Sequence, residues 1–333
     1  MAATREFDVV VAGEINVDLI LTGETVRPEF GREKLVADAT LTMGSSSVIF
    51  ACGAARLGLR VAFVGKVGKD AFGDFMLRGM QERGVDIQAV YRVDEPKTGI
   101  TVSLSEPRDR AMLTYAGAIA ELRADEVLDQ HLSSARHLHV SSAFLQRRLL
   151  PDLEGLFARA HRLGCTTSLD TGWDPEEQWD GAVTRALAGA DVFMPNEEEA
   201  PRIAGTDSPE EALAVLAERV PLVAIKLGRR GAIAATGNER AACESYPVRV
   251  VDTTGAGDSF NAGLVYGFLH HWSLQRSLQL GCACGALSAR AAGGTAAQPT
   301  LEEALTLIGQ ASASANLARA TETEEPRGGD RAE

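Results

Sequence analysis

Short apolar runs alternate with amphipathic segments along most of this chain. Asp8 to Ala12 is an apolar run of strand length, and Val61 to Val67 is another that leads into glycine. Val48 to Leu57 is small and apolar at helical spacing, and Ala71 to Arg83 is an amphipathic helix halted by Gly84. From about residue 124 the alternation becomes regular. It predicts helices over Ala124 to Leu132, Leu149 to Leu163, Ala182 to Ala188 and Pro209 to Glu218. Between them it predicts strands over His137 to Val140, Thr166 to Asp170, Val192 to Met194 and Leu222 to Leu227. Such alternation implies an α/β fold with a mainly parallel central sheet, helices on both faces, and ligands gathered at the carboxyl ends of the strands.

Two stretches break the rhythm. Leu35 to Met43 alternates partly, as a half-exposed strand does, and Thr98 to Leu104 and Ala111 to Tyr115 form a hairpin across the polar turn Ser105 to Arg110. Near the C-terminus, β-branched Val248, Val250 and Val251 read as a strand that runs into Asp252, Thr253 and Thr254. Gly255, Ala256, Gly257 and Asp258 follow, and then an apolar helical stretch through Leu269. A glycine turn that opens a helix leaves backbone N–H groups aimed outward at the positive end of the helix dipole, where anions and phosphates bind. Asp258 places a carboxylate beside that anion site, and the dipole is expected to keep it ionised at neutral pH. Phosphoryl transfer to a hydroxyl needs both features. A plain helix cap accounts for Asp258 equally well from this turn alone.

Composition narrows the function classes. The 333 residues carry 33 Lys+Arg against 46 Asp+Glu, a formal net charge of -13, so neither nucleic acid nor an anionic membrane is an expected partner. No apolar run approaches the ~20 residues of a membrane span. The N-terminus reads as a first strand rather than a leader. Five scattered cysteines without a CxxC pair suit a reducing cytoplasm. Residues 311–333, rich in Ala, Ser, Thr and Glu, are expected to be a mostly disordered tail behind one domain spanning 1–310. A nicotinamide-dependent dehydrogenase is excluded, because Gly13 is followed by Glu14, Ile15, Asn16 and Val17 rather than by the glycine fingerprint.

Several motifs in order resemble the ribokinase-like (PfkB) carbohydrate kinase family. These are GEINVD near the start, GKVGKDAFGD from Gly65 to Asp74, Asn196-Glu197-Glu198-Glu199, KLGRRG from Lys226 to Gly231, and DTTGAGDSF. The resemblance implies a ribokinase-like α/β domain with a small β-sheet lid from segments about 19–43 and 90–116, and a homodimer formed through that lid. It implies an ATP- and Mg²⁺-dependent kinase acting on a small sugar, with Asp258 as base and Gly255, Ala256 and Gly257 as the anion hole. Asn16, Asp18, Gly44, Ser45 and Ser46 would bind the acceptor. Asn196, Lys226, Gly228 and Gly231 would face the nucleotide, and Glu199 would hold magnesium, mostly through water. Asp252 and Thr254 match positions that line a K⁺ site in relatives. Many relatives carry Thr where this chain has Lys226.

The chain also departs from the family. Ser45 stands where a second glycine is usual, and Ile49 where an Asn contacts the sugar. Ser141-Ser142 lies near the position of a Glu in ribokinases proper, and Asp170-Thr171-Gly172-Trp173-Asp174 is a further candidate substrate wall. Ile49 and Trp173 are compatible with a nucleoside as acceptor, and a non-catalytic sensor of the same fold is the other alternative. A sugar phosphate would need cations such as Arg27, Arg32, Arg92, Lys97, Arg108 and Arg110.

Overall fold

The computed structural model describes residues 5–107, 110–179 and 181–322, with side chains at all of these except 110, 312 and 314–322. Fourteen strands are present among them: β1 (Phe7–Ala12), β2 (Asn16–Thr22), β3 (Asp38–Met43), β4 (Val61–Gly68), β5 (Val85–Asp86), β6 (Val90–Val93) and β7 (Gly99–Ser105) come first. β8 (Arg110–Tyr115), β9 (Ala135–Val140), β10 (Thr166–Leu169), β11 (Val192–Phe193), β12 (Leu222–Lys226), β13 (Ala232–Thr236) and β14 (Glu239–Cys243) follow. The helices are α1 (Ser46–Arg56), α2 (Ala71–Glu82), α3 (Asp129–Ser134), α4 (Leu153–Arg162) and α5 (Gly181–Leu187). They continue with α6 (Glu199–Ala204), α7 (Pro209–Ala217), α8 (Ala256–Leu269), α9 (Leu274–Ser288) and α10 (Leu301–Glu322).

The large sheet runs β14-β13-β12-β11-β10-β9-β1-β4-β5, with β6 also paired to β4. All its pairings from β12 to β5 are parallel, and β13 and β14 extend one edge as an antiparallel hairpin. Strand β1 shows why the alternation of apolar and polar residues is absent in the centre. Val9 and Val11 enter one core with Phe50, Phe63 and Phe260, while Val10 and Ala12 enter a second with Leu138, Phe157 and Phe193. A strand covered on both faces is apolar throughout. The chain leaves β1 toward β4 on one side and returns to β9 on the other, which opens a crevice at the carboxyl end of β1.

A second sheet, β3-β2-β7-β8, is the expected lid. Its first strand begins at Asn16, three residues earlier than expected, so Asn16 and Asp18 lie on the lid itself. Residues Val90–Val93, expected in the lid, pair instead with β4 of the main sheet.

Three other expectations are corrected. Ala124 to Leu132 is not one helix: a single 3₁₀ turn at Ala124–Glu126 is closed by Glu126 accepting from the Arg123 N–H (2.9 Å), and α3 starts anew where His131 Nδ1 accepts from the Leu128 N–H (3.2 Å). The break lets Val127 drop into the core. Val248 to Val251 is not a strand; Val250 and Val251 are exposed, and the Val251 N–H donates to the Ala289 carbonyl (2.8 Å) as the chain crosses toward α8. Hairpin β13–β14 went unpredicted because its alanine-rich strands carry little β propensity. Helix α10 reaches Glu322, inside the stretch expected to be disordered, and residues 323–333 lie outside the described residues. Among the described residues no helix is long and apolar enough to cross a membrane.

Candidate active site

The acceptor-side residues converge where the lid meets the main sheet. On strand β2, residues two apart share a face, and Asn16 Nδ2 donates to Asp18 Oδ1 at 2.9 Å. Gly44 closes against both: a Cβ there would lie 2.1 Å from Asp18 Oδ1 and 2.6 Å from Asn16 Nδ2. Ser45, in place of the usual glycine, holds φ at +71°, a conformation costly for a residue with a Cβ. Its hydroxyl donates to the Glu14 carbonyl (2.6 Å) and accepts from the Val48 N–H (3.0 Å), which caps α1. Glu14 is buried beneath, accepting from the Ser47 N–H at 3.1 Å and from the Ser47 hydroxyl. Burial pushes its carboxyl up from the ordinary range.

Helix α8 begins at the glycine turn. Gly255 has φ +73°, and a Cβ on it would lie 2.6 Å from Gly294 Cα and 2.9 Å from Ile49 Cγ2. Glycine is required there on both counts. Ile49 is the side chain that packs there. It is buried behind the turn against Gly255 and Gly294. Asp252 steadies the approach, accepting from the Thr254 N–H (2.9 Å), the Thr254 hydroxyl (2.8 Å) and the Gly293 N–H (2.9 Å).

Asp258 lies in the first turn of α8, and the Ser46 hydroxyl of the acceptor loop favours its ionised form. The residue keeps a partly accessible edge. Even so, burial, followed by the Asp170 carboxylate, pushes its carboxyl well above the ordinary range, against the pull of the Lys226 ammonium. Burial and the Asp170 carboxylate thus oppose the ionisation that the helix dipole and the Lys226 ammonium favour.

On the other side, Asn196 and Glu199 cap α6 reciprocally. Asn196 Oδ1 accepts from the N–H groups of Glu198 (2.8 Å) and Glu199 (2.9 Å), and Glu199 Oε2 accepts from the Asn196 N–H (2.9 Å). Burial first, then Asp170, raises the Glu199 carboxyl to about 7. Lys226 ends β12 beside them. Gly228 has φ +55° and faces Glu197, while a Cβ on Gly231 (φ +94°) would fall 1.9 Å from the Cys243 carbonyl, so Gly231 lets the β13–β14 hairpin cross.

Trp173 stands apart from these groups. Its ring meets Trp179 edge-on at 5.0 Å, and the Arg202 guanidinium covers it at 4.8 Å, which makes it part of a loop scaffold. Asp174 holds the same loop, accepting from the N–H groups of Glu176, Gln178 and Trp179. Among the cations that a sugar phosphate would need, Arg27 pairs with Glu106, Arg32 with Glu29 and, on the main sheet, Arg92 with Asp74. Arg108 and the Arg110 side chain lie outside the described residues.

Two further residues enter the cluster: Asp170, expected as part of a substrate wall, and Asn261, which sequence reasoning left unassigned. Asp170 accepts from Lys226 Nζ at 2.6 Å and from Asn261 Nδ2. Asn261 follows Asp258 by three positions, on the same helical face. That spacing was readable in the sequence, whereas the approach of Asp170 was not.

A family model described as pfkB family carbohydrate kinase matches residues 6–301. The 2-dehydro-3-deoxygluconokinase of Bacillus subtilis is 32% identical over 307 residues, covering 87% of this chain and 94% of that protein. The ATP-dependent 6-phosphofructokinase of Thermoanaerobacterium thermosaccharolyticum is 28% identical over 305 residues, covering 90% and 92%. Among solved structures, a protein described as a Ribokinase II from E. coli, in complex with ATP and Mg²⁺, superimposes with a TM-score of 0.81 at 26% identity, covering 91% of this chain and 99% of that one.

Proposed function

Because the chain belongs to the pfkB family of carbohydrate kinases, we propose that it transfers the γ-phosphoryl group of ATP to a hydroxyl of a small, uncharged sugar, with Asp258 as general base. The observation that carries this reading is the placement of Asp258 in the first turn of α8, just after the positive-φ Gly255, with Ile49 of the helix that follows the acceptor loop packed against that same turn. Asp18 and Asn16 accept and donate to vicinal hydroxyls. The acceptor O–H bond breaks toward Asp258 as its oxygen bonds to phosphorus, and the bond from phosphorus to the departing ADP oxygen breaks. The N–H groups of Gly255, Ala256 and Gly257 take up charge on the transferring group. A raised proton affinity suits Asp258 to receive the proton late in that step.

Among the described residues no three acidic, His or Cys side chains converge to hold a metal. Magnesium would be held chiefly by phosphate oxygens and water, with the Glu199 carboxylate and the Asn196 amide as the protein groups toward it. The ion, when bound, neutralises phosphate charge. The turn held by Asp252 and Thr254 is where K⁺ would sit, on backbone carbonyls. Gly228, with Gly231 shaping its loop, offers backbone to the nucleotide.

An uncharged acceptor is favoured because Asp18, Glu14 and Asp258 surround the acceptor side while Arg27, Arg32 and Arg92 are engaged by carboxylates. A nucleoside acceptor has less support, since Ile49 packs against Gly255 and Gly294 and the Trp173 ring against Trp179 and Arg202. The exposed Leu41, Leu113 and Tyr115, which share one face of the lid sheet, support a homodimer through that face. Five unpaired thiols suit a reducing cytoplasm.

A coupled ADP-release assay across ribose, fructose, 2-keto-3-deoxygluconate, fructose phosphate and adenosine tests the reading. At least one neutral sugar should outpace the anions and adenosine in kcat/KM. Asp258→Asn should keep ATP binding and lower turnover by ~10²–10⁴-fold. Near-normal turnover in that variant removes Asp258 as the base.

A further inference from the structure

The side chain of Lys226 is enclosed at the centre of the site. Its ammonium lies 2.6 Å from Asp170 Oδ2 and 3.4 Å from Asn261 Oδ1, and Asn261 Nδ2 donates to the same Asp170 oxygen. The three residues come from the end of β12, the residue after β10, and the first turns of α8. They form a closed triangle in which every member has two partners. On the open side the ammonium faces the glycine turn: a Cβ on Gly257 would lie 3.6 Å from Nζ. A buried ion pair adds little net stability over an apolar pair of equal volume, so the fold itself does not call for this arrangement.

We propose that Asp170 and Asn261 clamp the Lys226 ammonium beneath the Gly255–Gly257 turn, where it is a fixed cation for the phosphoryl group in transfer and for the Asp258 carboxylate. This rests on the reading of Asp258 as the base of a carbohydrate kinase. Lys226 is the group that acts, and Asp170 and Asn261 are positioning residues. A preorganised charge next to the anion hole needs no reorganisation as charge develops on the phosphoryl oxygens. The clamp also explains why a flexible lysine suffices. With its end tied to a buried carboxylate and amide, the side chain has one place to be.

Asp258 is faced by Lys226 from β12, Asp170 after β10, Glu14 after β1 and Ser46 from α1. Glu199 of α6 acts on the same Lys226 and Asp170. Lys226 draws the Asp258 carboxyl toward ionisation, and Asp170 opposes it. Removing either therefore has opposite effects on the base, which a merely structural pair does not produce.

The experiment uses the full chain with MgATP and whichever acceptor of the panel above gives the highest turnover. It compares wild type with Lys226→Met, Asp170→Asn and Asp258→Asn. Lys226→Met should lower kcat by ~10²-fold or more and shift the acidic limb of kcat/KM to higher pH. Asp170→Asn, nearly isosteric and so the variant that keeps the packing, should lower kcat less and shift that limb to lower pH. Calorimetric binding of MgATP should change by less than about tenfold in both. Acidic limbs that stay put, or move together, while Asp258→Asn is inactive overturn the clamp and leave the base intact. An active Asp258→Asn overturns the base reading and the clamp with it.

Discussion

Replacing Gly44 by alanine tests the acceptor side most directly. Its added Cβ would stand 2.1 Å from Asp18 Oδ1, 2.5 Å from Asp18 Cγ and 2.6 Å from Asn16 Nδ2. Non-bonded Cβ contacts below 3.0 Å essentially never occur, so the carboxylate must retreat by about 1 Å. Gly44 is not among the glycines with positive φ, so the backbone tolerates alanine and the whole effect is steric. The clash falls on the ends of two side chains rather than on backbone. The fold should therefore survive with at most ~1–3 kcal/mol of overpacking, and the displacement should fall on the groups that orient the acceptor hydroxyls. A misplacement of that size costs about 10²-fold when the groups position a reacting atom. Steady-state kinetics should show acceptor kcat/KM down by about that factor, while calorimetric MgATP affinity and the thermal midpoint stay close to wild type. Unchanged acceptor kcat/KM in a folded variant would falsify the placement of Asp18 and Asn16 in the acceptor site.

Other outcomes follow from the same structure. His137 and His139 are fully buried, joined through Ser168 Oγ at 2.7 Å each; burial holds His137 down at about 3 and His139 well below its ordinary value. Because both remain neutral when folded but take protons when unfolded, their contribution to stability is complete above an unfolded pKa of ~6.5 and drains away as pH falls below it, at up to ~1.4 kcal/mol per pH unit for each ring. NMR of the ring resonances should find both neutral at pH 5, and a charged ring there would contradict the reading. Gly231→Ala, with φ +94° and a Cβ 1.9 Å from the Cys243 carbonyl, meets backbone and not a flexible end, so it should cost ~2–4 kcal/mol and lower the thermal midpoint by several degrees. Ile49→Asn should lose stability through a buried amide behind the glycine turn and should not change which acceptor is preferred; a switched preference would return Ile49 to the acceptor wall.

Much of the site was legible where the signal is local. The spacing of Asn16 and Asp18 on an extended segment, the spacing of Asn196 and Glu199, and the turn that opens α8 each lie within a few residues. Backbone geometry alone dictates which side chains then share a face. The parallel sheet was legible for a related reason. Strands buried on both faces must be apolar throughout, and helices between them must be amphipathic. Val248 to Val251 misled because β-branched composition reports fitness for a strand, not the presence of a free edge to join. The packing of Ile49 was not legible, because the motif position said what relatives place there, not that this side chain lies against Gly255 and Gly294.

By itself, then, the sequence determined most of the elements, their order and the glycine turn that opens α8, since these follow from hydrogen bonding and burial over a few consecutive residues. Only the tertiary structure decided how that chemistry is tuned. Lys226 meets Asp170 across 56 positions of chain, and Asn261 meets it across 91. The proton affinity of Asp258 depends on how much water the packed core removes and on which charges stand opposite. Desolvation and Coulomb interaction act through space rather than along the chain, so no pattern of neighbouring residues records them.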